Sequence, residues 1–122
     1  MMNEHPAGSW SGEFPAGRVT VTPRAIASIV AGAALQCEGV ASLANPPEGR
    51  APLLASEARR GVEVHLHQNQ VIVDVYLLVR AGVPIADVAH TVQEQVRAAL
   101  ELALDARDPQ VNVRVQGIRG RY

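Results

Sequence analysis

The stretch from Val71 to Arg80 constrains the fold more than any other, because every second residue in it is Val or Leu. An extended chain turns successive side chains to opposite sides. Val71, Val73, Val75, Leu77 and Val79 therefore share one face, and Ile72, Asp74, Tyr76, Leu78 and Arg80 share the other. A row of branched apolar side chains this long needs a cover, because exposed apolar area is costly in water. Val62 to His67 also alternates, and Gln68-Asn69-Gln70 between the two runs reads as a turn. The pair is expected to form a β-hairpin.

Two helical patterns supply the cover. Thr22 is a good N-cap and Pro23 sits at a first helical position, where its missing N–H does no harm. Ile26, Ile29, Val30, Ala33 and Cys37 then recur at helical spacing, and Gly39 reads as the stop. Ala27, Ala31, Gly32 and Ala34 add a small-residue face that allows close approach by the sheet, the second helix or a partner chain. Pro84 opens a longer helix to about Leu104, with Ile85, Val88, Ala89, Val92, Val96, Leu100 and Ala103 as its buried stripe.

Arg18 to Val21 and Val111 to Gln116 are two further alternating runs of strand type. The expected order is β-α-β-β-α-β, an α+β two-layer sandwich with a four-stranded mixed sheet and both helices on one face. Residues 1–16, rich in Gly, Pro and Ser, read as a disordered or loosely held arm. Residues 17–118 form a single domain, and residues 44–60, broken by Pro46, Pro47, Gly49 and Pro52, form a long loop with a helical turn expected near Leu54 to Arg59. Residues 119–122 read as a short basic tail.

Composition narrows the function. Apolar residues make up 48% of 122 residues, enough for one real core, while aromatics make up only 3%. Net charge is −1, and every one of the eleven basic residues is Arg. That balance argues against nucleic-acid binding, which calls for a strong basic bias. No apolar run is long enough to span a bilayer, and residues 1–12 lack the pattern of a secretory signal. The expectation is a cytoplasmic protein. A single cysteine, Cys37, gives no intrachain disulfide.

Four blocks carry a family resemblance: Gly17 to Val30 followed by Gly39-Val40, Gly61 to Val64 followed by Val71 to Val75, Gly82 to Ile85 leading to Val92 to Val96, and Val111 to Ile118. In this order and spacing, from about Gly17 to Ile118, the chain resembles the alkaline shock protein (Asp/Gls) family of bacterial envelope stress proteins. It departs from the family pattern after the long helix, where Leu104 to Asp108 replace a Thr-Gly-Leu type ending. The resemblance implies a cytoplasmic protein with no catalytic residues and no cofactor. It also implies self-association into a homo-oligomer and placement near the membrane through a separate membrane-anchor protein.

The residues offer several candidate sites. His65 and His67 share a strand face with Glu63, and Asp74 is a further candidate ligand, but the ligand count is short of a metal site and the face is expected to be a solvated one. Cys37 falls on the apolar stripe near a helix C-terminus, where a thiol behaves as a small inert hydrophobe. His90 and Glu94, four apart, lack a nucleophile and read as a wet helix face. The sheet face away from the helices is the strongest candidate, an interaction surface made of Ile72, Tyr76, Leu78, Arg80 and Arg114, because apolar residues rimmed by polar ones mark docking sites. The alternatives are single-stranded RNA binding, supported by Arg119 to Tyr122, and a small-ligand regulatory module.

Overall fold

A computed structural model describes residues 9–46, 57–59 and 61–120. Its element order is β1 (Trp10–Phe14), β2 (Gly17–Val21), α1 (Pro23–Leu35), β3 (Val40–Leu43), β4 (Glu57–Arg59), β5 (Val62–His67), β6 (Gln70–Arg80), α2 (Ile85–Leu104) and β7 (Gln110–Arg119). The architecture is α+β with a helical layer on one face of a mixed sheet.

Strand β6 organises the sheet. Strand β7 runs parallel along one edge of it, from Ile72 to Arg80. Along the other edge β5 pairs antiparallel with Gln70 to Val75, and β3 pairs antiparallel with Leu77 to Val79. β4 then pairs with β5, which makes five strands. At the junction of β3 and β5, Tyr76 N–H donates to Gly61 O at 2.9 Å and Ala44 N–H donates to Tyr76 O at 2.8 Å. Gly61 has φ +83° there, and a Cβ on it would come 2.5 Å from Leu43 Cβ, so both the backbone and the space require glycine.

The sequence placed the first strand in this sheet. Instead β2 pairs antiparallel with β1 as a separate two-stranded hairpin. The loose arm expected over residues 1–16 is corrected over 10–14. Ser11 N–H donates to Asn69 Oδ1 at 3.2 Å, and Asn69 Nδ2 donates back to Ser11 O at 2.7 Å, which clips β1 to the β5–β6 turn. Residues 1–8 lie outside the described residues.

The 44–60 loop carries a second correction. Glu57–Arg59 are strand β4, where a helical turn was expected, and residues 47–56 lie outside the described residues. The basic tail expected over 119–122 is shortened at its start, because β7 runs on to Arg119.

Both helices begin where the sequence places them. Thr22 Oγ1 accepts from Ala25 N–H at 3.2 Å, capping α1. Asp105, in the left-handed conformation at φ 51°, closes α2 with its N–H donating to Glu101 O. Ile26, Ala27, Val30 and Ala34 of α1 and Val88, Val92, Val96, Leu100 and Leu104 of α2 form one core with Val62, Val64, the whole Val71 to Val79 row and Val111. Gly39, at φ +93°, lets the chain leaving α1 approach α2, since a Cβ there would lie 2.7 Å from Val88 Cγ2. Gly32 serves no such contact, because a Cβ on it would meet nothing within 4 Å.

Candidate functional site

The sheet face turned away from the helices holds the chemistry-bearing side chains. Strand β5 contributes Glu63, His65 and His67. Strand β6 contributes Ile72, Asp74, Tyr76, Leu78 and Arg80, and β7 contributes Gln110, Asn112 and Arg114 at partner positions. The turn sets the register. Gln68 and Asn69 both have positive φ, 53° and 68°, the geometry of a two-residue hairpin turn. Pairing outward from it puts His67 opposite Gln70, His65 opposite Ile72 and Glu63 opposite Asp74.

Asp74 is the hub of this face. His65 Nε2 lies 3.3 Å from Asp74 Oδ2 and 3.9 Å from Glu63 Oε1. Asn112 Nδ2 donates to Asp74 Oδ1 at 3.0 Å, and Arg114 Nε stands 3.9 Å from the same oxygen. Tyr76 donates its hydroxyl to Glu63 Oε1 at 3.3 Å. Glu63 and Asp74 are buried, at 1% and 5% exposure. The solvated face expected at these positions is therefore corrected. A buried carboxylate is stable only when paired and hydrogen-bonded; these contacts answer Asp74 and Glu63 Oε1, while the buried Glu63 Oε2 accepts no hydrogen bond from the described residues.

The five residues of the candidate interaction surface divide. Tyr76 is fully buried and is no surface anchor. It is also the only Phe, Tyr or Trp in strands β3 to β7, so these strands offer no exposed ring of those types on which a base could stack. Ile72 and Leu78 are half-buried, while Arg80 and Arg114 are exposed. A β-bulge separates the two ends of β7: Leu77 pairs with Val115 and Leu78 with Gly117, leaving Gln116 as the extra residue. Beyond it Arg80 stands directly opposite Arg119, a residue the sequence reading left in the tail. Ile118, 48% exposed, pairs with Val79 and so lies on the opposite, helix-side face.

His67 is exposed at the end of β5 and lies apart from the Glu63–His65–Asp74 group. Cys37 is buried beyond the last turn of α1, with its Sγ 3.5 Å from Ala33 O, and burial pushes its thiol pKa up. His90 and Glu94 are exposed on α2. No helix of the described residues is long and apolar enough to cross a membrane.

Residues 13–120 match the model of the alkaline shock protein 23 family, described as having a cell envelope-related function. The chain belongs to this family. Its relatives include YloU of Bacillus subtilis (strain 168), 32% identical over 107 residues that cover 84% of this chain and 89% of that one. Spy1614 of Streptococcus pyogenes serotype M6 is 33% identical over 107 residues, covering 84% and 88%. YqhY of B. subtilis is 31% identical over 105 residues, covering 84% and 78%. Among solved structures, two MamM CTD variants superpose with a TM-score of 0.51. They are 15% and 14% identical and cover 80% of this chain and 98% and 95% of theirs, a likeness of fold. The family match spans β2 to β7, so both the hub at Asp74 and the arginine pair at the end of β6 and β7 lie within the alkaline shock protein domain.

Proposed function

We propose that this alkaline shock protein is a non-enzymatic cytoplasmic interaction protein. On this reading it acts in cell-envelope homeostasis by self-association and by docking a partner held near the membrane. The observation that carries the reading is the strip where β6 and β7 end. Among the described residues β7 pairs with β6 alone, so its outer row of N–H and C=O groups is open to another strand. Next to that edge Arg80 and Arg119 face each other, with Arg114 and half-buried Leu78 on the same face. Neither Arg80 nor Arg119 forms an ion pair with a carboxylate of the described residues. Like charges directly opposite one another weaken a sheet, and an acidic extended segment laid along β7 relieves that repulsion. Arg beside aliphatic side chains is also the composition of an interface core.

The test is native mass by light scattering over a concentration series for the wild type, Leu78→Glu and Arg80→Glu. The expected result is a concentration-dependent oligomer that both variants weaken while their circular dichroism stays unchanged. A wild type that remains monomeric throughout removes self-association from the proposal. Variants that associate like the wild type move the contact away from this strip.

A further inference from the structure

We propose that Glu63, His65 and Asp74 form a binding site for a first-row divalent cation, with Zn²⁺ the best fit, on the sheet face away from the helices. The three residues each bring one donor atom, and those atoms lie within 4.8 Å of one another. A tetrahedral Zn²⁺ with bonds of about 2.0–2.1 Å holds its ligand atoms roughly 3.3–3.4 Å apart. His65 Nε2 and Asp74 Oδ2 already stand 3.3 Å apart, and His65 Nε2 and Glu63 Oε1 stand 3.9 Å apart. Glu63 Oε1 stands wider than this and would move inward on binding.

The surroundings are those of a held ligand set. Asn112 takes Asp74 Oδ1 and so leaves Oδ2 directed at His65. Tyr76 fixes the Glu63 carboxylate through its hydroxyl. Hydrogen bonds of this kind orient ligands and tune their affinity. Charge points the same way. Glu63 and Asp74 are register partners across β5 and β6, both nearly inaccessible, so two carboxylates face each other inside the protein. Like charges so placed are destabilising, and one divalent cation neutralises both. The imidazole is the way in, because the His65 side chain is 29% exposed. Three protein ligands leave a fourth position for water. An imidazole nitrogen among the donors favours Zn²⁺ and its first-row neighbours over Mg²⁺ or Ca²⁺, which prefer oxygen alone.

The rival account is a protonated His65 bridging the two acids with help from Arg114, and the experiment separates the two. The full chain, stripped with a chelator, is titrated with ZnCl₂ by calorimetry, and Co²⁺ absorption is recorded in parallel. The expected result is one ion per chain, a raised melting temperature and the visible bands of four-coordinate Co²⁺. Asn112→Ala, which frees Asp74 to rotate, should bind about 10–100-fold more weakly. His65→Gln should lose more affinity than that and lose the Co²⁺ bands. His67→Gln, altered on the same strand but outside the cluster, should bind as the wild type does. A wild type that binds no Zn²⁺ overturns the proposal in favour of the protonated histidine. Binding that survives His65→Gln also overturns it, assigning the ion to histidines elsewhere on the chain.

Discussion

The two faces of β6 are built from one alternating run, yet they are stabilised in different ways. On the helix side Val71, Val73, Val75, Leu77 and Val79 are all fully buried against α1, α2 and their neighbours. Each contributes by leaving water, a non-directional gain of about 25 cal/mol for every Å² of apolar surface covered. On the other side Tyr76 and Asp74 are as buried as the valines, but Ile72 and Leu78 are half-buried and Arg80 is exposed. Burial there is supported by the contacts that Tyr76, Asp74, Glu63, His65 and Asn112 make with one another, with Glu63 Oε2 outside that set of hydrogen bonds. Alternation therefore identifies which residues share a face and says little about whether that face is wet.

Substitutions on each face sharpen the contrast. Leu77→Ala removes a fully buried aliphatic side chain and leaves a void, and should cost about 2–5 kcal/mol in denaturant unfolding. A loss below 1 kcal/mol, well under that range, would mean the helix face is loosely packed. Tyr76→Phe keeps the ring but removes the hydroxyl that Glu63 accepts from, and should cost about 1–3 kcal/mol with the fold retained. If Tyr76→Phe were neutral, the opposite face would be holding by apolar contact, as the first does. Arg80→Gln should change stability by less than about 0.5 kcal/mol, and in the stabilising direction, since it relieves the repulsion from Arg119.

The smallest effect is alkaline and belongs to the helix side. Burial raises the Cys37 thiol pKa, so the unfolded chain releases this proton at a lower pH than the folded one. The contribution is present below the ordinary thiol pKa and is lost as pH rises through the folded value. Melting temperature should thus fall as pH rises from the ordinary thiol pKa through the raised one in the wild type, and less steeply in Cys37→Ala. The same burial should slow alkylation of the native protein relative to the denatured chain.

Much of the fold was legible in the residues. The cap at Thr22, the hairpin, the buried valine row and most of the apolar stripe of each helix follow from periodicity and local hydrogen-bonding chemistry, which act over a few residues; Ile85 and Ala103, expected in the stripe of α2, are exposed at its two ends. Four-residue β3 and three-residue β4 were missed, because such short pieces have no period to detect and exist only by pairing with β6 and β5. Trp10–Phe14 were missed for a similar reason: Gly12 and Pro15 break the pattern, and pairing with β2 and the Asn69 clip hold the strand in place. One element of the site was within reach. Counting outward from the Gln68-Asn69 turn sets Glu63 against Asp74 and brings His65 beside them, so the hairpin register groups three of the candidate ligands named from the sequence.

Sequence by itself determined the α+β class and the division of β6 into two faces, because both rest on local spacing, and its four blocks carried the resemblance to the family. Tertiary structure alone decided that Tyr76, Glu63 and Asp74 are buried, that β7 lies parallel to β6 and pairs, among the described residues, with β6 alone, and that Arg80 meets Arg119. Those outcomes depend on which distant strands pair and on a one-residue bulge at Gln116, and a slip of a single residue there would change which side chains face one another.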